Sequence, residues 1–200
     1  MFDDSGVVLS GLLARPCTAP LLRAVLLHDY DTHRHLLAVG TLTARVAMTA
    51  GLSHDDALQL AKAGLFHDIG KLYVDPRILQ TDARLTPHDW TVLRAHAEIG
   101  ESMLRDCGEH ELAPIVRAHH ERLDGSGYPD GLRGRSISWK TRLLSVVDAY
   151  DAMRAGRPYA RAVDHDTAIE RLLLAREQFD PEAVDVLAAT IEEEATPLVS

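Results

Sequence analysis

The chain has 200 residues, of which 46% are hydrophobic, 26% are charged and only 5% are aromatic. This length suits one domain with a sizeable core, which aliphatic side chains must fill because aromatic residues are few. The net charge of −9 argues against non-specific binding of polymeric nucleic acid, which requires a cationic surface. It does not exclude a small phosphate ligand at a metal cluster, since the ions bring their own positive charge.

The two cysteines and the N-terminus bear on location. Cys17 and Cys107 are too few and too far apart in sequence to indicate a disulfide framework or a cysteine-based zinc site, so we expect two reduced thiols. The first residues, Met1-Phe2-Asp3-Asp4, are acidic where a signal peptide is basic. No apolar run approaches the roughly 20 residues that cross a bilayer. These features predict a cytoplasmic protein without a membrane partner.

Apolar residues recur at helical spacing along almost the whole chain, and no strand pattern is evident. The starts of helices are indicated by the N-cap residues Ser53, Thr86 (followed by proline) and Asp164 or His165. The loop 122–135 carries four glycines. The sequence therefore predicts a single all-α bundle with one long glycine-rich loop. In chain order the predicted helices cover residues 20–27, 32–50, 54–66, 86–105, 111–121, 139–153, 166–176 and 181–194.

Eleven consecutive residues carry the strongest functional signal. They read His119-His120-Glu121-Arg122-Leu123-Asp124-Gly125-Ser126-Gly127-Tyr128-Pro129. Adjacent histidines make a poor core, because each buried ring nitrogen needs a partner, but they make good metal ligands. A second signal is His67-Asp68 at the end of an apolar helix, with Lys71 close behind. Together these signals predict a polynuclear metal site that cuts phosphate esters.

Other candidate ligands are weaker taken singly. His96 shares a helix face with Gly100, which would leave space above the imidazole, but it could equally be a satisfied helix histidine. His35 and Asp31 could form a surface hydrogen bond instead of binding metal. Asp148 follows two valines and is expected to point inward; Asp151, three residues on, could share its side or serve as a cap or ion-pair partner. Histidine and carboxylate ligands suit iron, manganese or zinc.

At these positions the chain resembles the HD-GYP family, a branch of the HD phosphohydrolases. The 119–129 string matches H-H-E-x-x-D-G-x-G-Y-P, residues 67–71 match H-D-I-G-K, and residues 96–100 match H-x-x-x-G. Residues 148–153, 157–159 and 179–181 resemble the elements D-x-x-D-A-hydrophobic, R-P-Y and F-D-P. The similarity covers roughly residues 25–190, and the order and spacing of the elements also match.

The resemblance implies an HD-type helical domain over residues 25–193, between a short extension (1–24) and a tail (194–200). It implies a metal-dependent phosphodiesterase that hydrolyses cyclic di-GMP to pGpG or GMP, with two or three divalent ions, Fe or Mn being favoured. Trinuclear relatives add a glutamate where this chain has the shorter Asp31, and Ala160 follows R-P-Y where relatives often carry a cation. The implied ligands are His35, His67, Asp68, His96, His119, His120 and Asp148, together with Asp31 for a third ion.

The hypothetical mechanism is attack by a metal-bridged hydroxide, with Asp68 as the bridging carboxylate and Lys71 neutralising phosphate charge. Tyr128 and Arg157 are expected to contact substrate, although Tyr128 could instead pin the loop to the bundle. Glu121 and Asp124 are expected to support the ligands or shape the loop. Gly125 and Gly127 would allow close backbone approach, and Pro129 would stiffen the turn.

Three alternatives stay open at this point. The domain could be a cyclic-dinucleotide receptor that signals through a partner protein, or a phosphohydrolase for another nucleotide such as cyclic GMP-AMP. It could also be a helical bundle with incidental histidines. Since only some 20 residues precede the matching region, regulation is expected through a regulatory protein partner, the ligand or the metal. A homodimer through an exposed apolar helix face is also open.

Overall fold

The computed structural model describes residues 17–155 and 161–195. Within these ranges the chain forms α-helices and 3₁₀ turns and no strand, which confirms the all-α prediction. The 3₁₀ turns are Ile69–Tyr73 and Gly134–Ser136. The helices are α1 Thr18–His28, α2 Tyr30–Thr49, α3 His54–Phe66, α4 Pro76–Leu79, α5 Pro87–Arg94, α6 His96–Asp106, α7 Ala113–Ala118, α8 Trp139–Ala155, α9 His165–Leu174 and α10 Pro181–Ala195.

Side-chain caps fix the starts of the longer helices. The carboxylate of Asp29 accepts the amide of Thr32 and begins α2, two residues earlier than predicted. Ser53 caps α3, and Thr86 forms a reciprocal capping box with Asp89 at α5. Asp164 caps α9. The caps at Ser53, Thr86 and Asp164 are as the sequence predicted, and each satisfies an amide that the helix itself leaves free.

The core lies where α2 packs against α3 and α8, with α10 covering α2 and α8. A candidate metal ligand on or directly after each of the three helices α2, α3 and α8 is the chain neighbour of a buried apolar residue: His35 of Leu36, His67 of Phe66 and Asp148 of Val147. The fully buried residues include Leu36 and Val39 of α2, Leu60, Leu65 and Phe66 of α3, and Leu143, Leu144 and Val147 of α8.

The single helix predicted over 86–105 is wrong. The chain forms α5 and α6 instead, with a break at Ala95. Nδ1 of His96 bonds the carbonyl oxygen of Leu93 at 2.6 Å, so the His96 side chain is the partner of a backbone oxygen next to the break. His96 consequently opens α6 and does not lie mid-helix. The helix predicted over 111–121 is shorter as well, and His119 and His120 lie in the turn that follows α7.

The expectation of two reduced thiols is also wrong. Cys17 and Cys107 form a disulfide, with their Cα atoms 5.6 Å apart, that joins the start of α1 to the end of α6. The two cysteines are 90 positions apart in sequence, and only the tertiary fold brings them together. None of the helices described here is both long and apolar enough to cross a membrane.

Candidate metal centre

Five segments bring seven of the predicted ligands into one buried cluster. His35 comes from α2, His67 and Asp68 follow α3, His96 opens α6, His119 and His120 follow α7, and Asp148 lies on α8. Three overlapping groups have ligand atoms within 4.8 Å of one another. The groups are Asp68, His96, His119 and His120; His35, His67 and Asp68; and His67, His119 and Asp148.

Asp68 lies between two sets of imidazoles and turns one oxygen toward each. Its Oδ1 is 3.1 Å from Nε2 of His96 and 3.9 Å from Nε2 of His119. Its Oδ2 is 3.4 Å from Nε2 of His67 and 3.9 Å from Nε2 of His35. This is the arrangement that a carboxylate needs in order to bridge two ions.

Three of the histidine rings are held in one orientation, because each bonds the backbone carbonyl of the residue three positions earlier. Nδ1 of His67 bonds the carbonyl of Gly64 at 2.8 Å. Nδ1 of His96 bonds Leu93, and Nδ1 of His119 bonds Val116, both at 2.6 Å. A carbonyl oxygen can only accept a hydrogen bond, so each Nδ1 is the donor and each Nε2 is turned toward the cluster. These rings are therefore oriented for metal binding before any ion arrives.

The α8 carboxylates complete the cluster from the side of His35. Oδ1 of Asp148 lies 3.0 Å from Nε2 of His35 and 3.6 Å from Nε2 of His67. Asp151, one turn further along α8, lies 2.6 Å from Nδ1 of His35. Sequence reasoning left the role of Asp151 open, and the signal that could have found it is its spacing of three residues from Asp148.

The cluster contains both charged and neutral buried groups. Burial lowers the pKa of His119 to about 3 and that of His120 well below its usual range, so both rings are neutral. Burial also opposes a proton on His67, but the carboxylates of Asp68 and Asp148 outweigh it and raise the pKa of His67 to about 10. Against the effect of burial, Lys71 and then His67 hold the pKa of Asp68 well below its ordinary value.

Lys71 is buried and its ammonium group pairs with Oδ2 of Asp68. The 3₁₀ turn that carries Lys71 lies tightly against the start of α6. A Cβ added at Gly70 would stand 2.0 Å from the carbonyl oxygen of His96 and 2.8 Å from the amide nitrogen of Gly100. The two glycines thus let one backbone approach another, and Gly100 makes room for this turn where the sequence suggested room above an imidazole.

The glycine-rich loop folds back onto the paired histidines. A Cβ at Gly127 would lie 2.5 Å from Cα of Glu121 and from the carbonyl oxygen of His120, so the two backbone segments of the loop pass very close to each other. The buried carboxylate of Glu121 accepts the amides of Asp130 and Leu132 at 2.7 and 2.9 Å. These bonds hold the far side of the loop over the cluster.

The remaining loop residues lie at different distances from the cluster. The ring of Tyr128 stacks at 4.7 Å on that of His120, next to the ligands. Asp124 instead accepts the amide and hydroxyl of Ser126 in a local turn. Gly125 adopts a positive φ of 76°. Pro129 follows a cis peptide bond.

One predicted ligand, Asp31, is not brought into the cluster. The side chain of Asp31 is 78% exposed and lies 3.6 Å from Arg34, outside the three ligand groups. It sits on the first turn of α2, one turn away from His35, and faces the solvent side. Arg157 lies outside the described residues.

A cavity of about 700 Å³ opens beside the cluster. His35, Lys71 and Asp151 line it, together with Asp31. Its other walls include the cationic side chains of Arg34, Arg154 and Arg161 and the apolar side chains of Leu85 and Leu93. The volume is in the range of small-molecule sites, and the mixture of cationic and apolar walls suits a ligand that combines phosphates with flat rings.

The donor set fits divalent metal ions. All donors in the three groups are imidazole nitrogens or carboxylate oxygens, which iron, manganese and zinc accept. Oδ1 of Asp68 is buried and makes no well-formed hydrogen bond to a described residue, so a buried negative oxygen is left for a cation. Over the described residues, the fold and the site together define a helical protein with a buried His/Asp cluster that could hold divalent metal ions.

Comparison with known proteins identifies the family. A family model described as HD domain matches residues 15–183. The chain is 36% identical over 172 residues to a cyclic di-GMP phosphodiesterase of Thermotoga maritima, covering 84% of this chain and 46% of the relative. It is 39% identical over 139 residues to 3'3'-cGAMP-specific phosphodiesterase 3 of Vibrio cholerae, covering 69% and 30%.

The fold is similar to that of an HDG"Y"P protein from Bdellovibrio bacteriovorus, with a TM-score of 0.66 and 21% identity over 80% of this chain and 52% of that one. The chain therefore belongs to the HD domain family, and its sequence motifs resemble those of the HD-GYP branch. It spans less than half the length of the two curated relatives named above.

Proposed function

We propose that the chain is a metal-dependent phosphodiesterase that hydrolyses cyclic di-GMP to pGpG, GMP or both. The observation that carries this proposal is the position of Asp68, whose two oxygens face two sets of imidazole nitrogens beside a cavity lined by Lys71, three arginines and three aspartates. The similarity to a cyclic di-GMP phosphodiesterase over most of the chain supports the substrate.

We propose two bound ions, Fe or Mn. His35, His67 and Asp68 would hold one, and Asp68, His96, His119 and His120 the other, while Asp148 faces both sets. Such ions supply Lewis-acid stabilisation of phosphate charge and lower the pKa of water. A third ion would require Asp31, which lies apart from these groups, to turn toward His35.

The protein's own groups would position the substrate. Lys71 is buried beside Asp68 and lines the cavity, so its ammonium group would neutralise a non-bridging phosphate oxygen. Burial raises the pKa of Tyr128, so its hydroxyl would stay protonated and could donate a hydrogen bond. Arg157 remains a proposed phosphate or guanine contact.

The test is to purify the protein without oxygen, measure its metal content, and incubate it with cyclic di-GMP before separating the products by chromatography. We expect linear products that disappear with a chelator and in Asp68→Asn. As the matched control, Asp185→Asn changes an exposed carboxylate of α10 that is not part of the cluster or the cavity lining. Absence of product from protein that holds two ions would contradict the proposal.

A second candidate substrate is 3',3'-cyclic GMP-AMP, because the 39% identical relative carries that specificity in its name. The same incubation with this dinucleotide compares the two substrates directly by kcat/KM. A receptor role, in which the domain binds the dinucleotide and signals to a partner, would show binding without turnover in metal-loaded protein.

Several finer assignments are part of the proposal. They are the extent of the catalytic domain, residues 25–193; a cytoplasmic location; a regulatory protein partner; and a homodimer. Exposed apolar side chains such as Leu27 and Leu174, 80% and 79% exposed, support a self-association surface. Light scattering on the eluted protein would report the mass and test the dimer.

A further inference from the structure

Arg94 stands at the edge of the metal centre between two aromatic rings. Its guanidinium carbon lies 5.1 Å from the ring centre of Tyr128 and 5.8 Å from that of Trp90. The ring of Tyr128 in turn stacks on the metal-facing His120 at 4.7 Å. A continuous stack of Trp90, Arg94 and Tyr128 therefore runs from the cluster to the surface of α5.

Arg94 differs from the other stacked arginines of the described chain in what its N–H groups do. Arg122 stacks on Phe179 and donates to two carbonyls and to Ser145. Arg142 stacks on Trp139 and pairs with Asp180. Among the described residues, the guanidinium of Arg94 has neither a hydrogen bond nor an ion pair.

Two arginines on the helices that follow α5 are paired, Arg105 with Glu101 and Arg117 with Glu98. Stacking occupies the faces of the guanidinium and leaves its in-plane donors free. Trp90 is 43% exposed, so ring surface remains beside those donors for a further planar group.

The stack and the cavity contact different ligands of the cluster, although both border α5, since Leu93 lines the cavity. The cavity is lined by His35 and Lys71, whereas the stack abuts His120 and lies near His96. A cyclic dinucleotide whose scissile phosphate is at the cluster has one base to place on each side. The donor fork of Arg94 matches the O6 and N7 acceptors of guanine, and the ring of Trp90 matches its face.

We propose that Trp90, Arg94 and Tyr128 form a guanine subsite, in which Arg94 reads O6 and N7 and Trp90 stacks on the base. This inference rests on the proposed function and adds a specificity-determining residue to it. Adenine presents a donor where guanine presents O6, so the same fork would disfavour it. Arg94 would therefore set a preference for guanine over adenine at one of the two base positions.

The test compares wild type, Arg94→Ala, Arg94→Lys and the surface control Arg171→Ala on cyclic di-GMP, cyclic di-AMP and bis(p-nitrophenyl) phosphate, which has no base. We expect Arg94→Ala to raise KM for cyclic di-GMP by about 10- to 100-fold and to abolish the preference over cyclic di-AMP. Hydrolysis of the base-free ester should stay within about twofold of wild type. Arg94→Lys should not restore the preference, because a lysine lacks the planar fork.

Three results would overturn the subsite: an unchanged KM, full restoration by lysine, which would indicate a phosphate contact, or an equal loss on the base-free ester. A binding experiment stands apart from catalysis. Metal-free protein titrated with GMP should lose tryptophan fluorescence, and Trp90→Phe, which retains Trp139, should not respond. Wild type that hydrolyses none of the three substrates would refute the phosphodiesterase, whereas the GMP titration would still decide the subsite.

Discussion

Asp151 accepts a hydrogen bond from Nδ1 of His35 at 2.6 Å, while Nε2 of the same ring lies 3.0 Å from Asp148. The imidazole is thus held between two carboxylates of α8, one at its outer nitrogen and one inside the cluster. A carboxylate behind a metal-binding histidine fixes the tautomer and raises the basicity of the ring. Asp151 is accordingly a positioning residue for His35.

Asp151→Asn should weaken metal binding without removing a ligand. An asparagine keeps the shape but not the negative charge, so we expect the affinity for Mn²⁺ to fall by about 10- to 100-fold. At saturating Mn²⁺ most of the activity should return. Titration of metal-free protein measures the affinity, and Asp185→Asn on the exposed face of α10 is the control. Equal affinities for the two variants would show that Asp151 does not position His35.

Glu121→Gln should loosen the glycine-rich loop. The carboxylate accepts two backbone amides, and a glutamine offers one acceptor and one NH₂ group that would face a donor. We expect a loss of about 1–3 kcal/mol in the free energy of unfolding. The measurements are urea unfolding and KM for cyclic di-GMP, with Glu170→Gln, an exposed residue of α9, as the control. Unchanged stability would refute the role given to Glu121.

Gly70→Ala should be more damaging than Gly134→Ala. At Gly70 a methyl group would collide with backbone atoms of His96 and Gly100, whereas at Gly134 nothing lies within 4 Å and only the positive φ of 49° is unfavourable. We expect about 3 kcal/mol of destabilisation at Gly70 and about 1–2 kcal/mol at Gly134. Urea unfolding gives both values. The reverse order would contradict the close approach of the 3₁₀ turn to α6.

Metal binding should release at least one proton near pH 7. In metal-free protein the pKa of His67 is raised to about 10, so this ring is charged, while the pKa of His119 is lowered to about 3 and that ring is neutral. A metal requires the unprotonated Nε2 of His67. Calorimetric titration with Mn²⁺ in buffers of different ionisation enthalpy counts the protons. A heat that does not depend on the buffer would contradict the proton on His67.

The same proton should make the stability of metal-free protein depend on pH. Because the pKa of His67 is raised above its ordinary 6.5, its stabilising contribution is complete below pH 6.5 and is lost as the pH rises through about 10. We expect the Tm of metal-free His67→Gln to vary less than that of wild type over this range. Parallel Tm curves for the two proteins would contradict this assignment.

Most of the helices were predictable from sequence because their signals are local. Caps such as Ser53 and Thr86 act within three residues, and the paired histidines are adjacent. The contact between Cys17 and Cys107 is not local, since it depends on how α1 and α6 meet. The break at Ala95 was equally hidden, because it accompanies a bond between the ring of His96 and the backbone of Leu93.

The central claim is that Asp68 bridges two metal ions, and anomalous scattering from crystals grown with Mn²⁺ tests it most directly. We expect two manganese peaks, one beside Oδ1 near His96 and His119 and the other beside Oδ2 near His35 and His67. The same experiment on Asp68→Asn should lose both peaks or reduce them strongly. A single peak in wild type, or two peaks that do not share Asp68, would contradict the account.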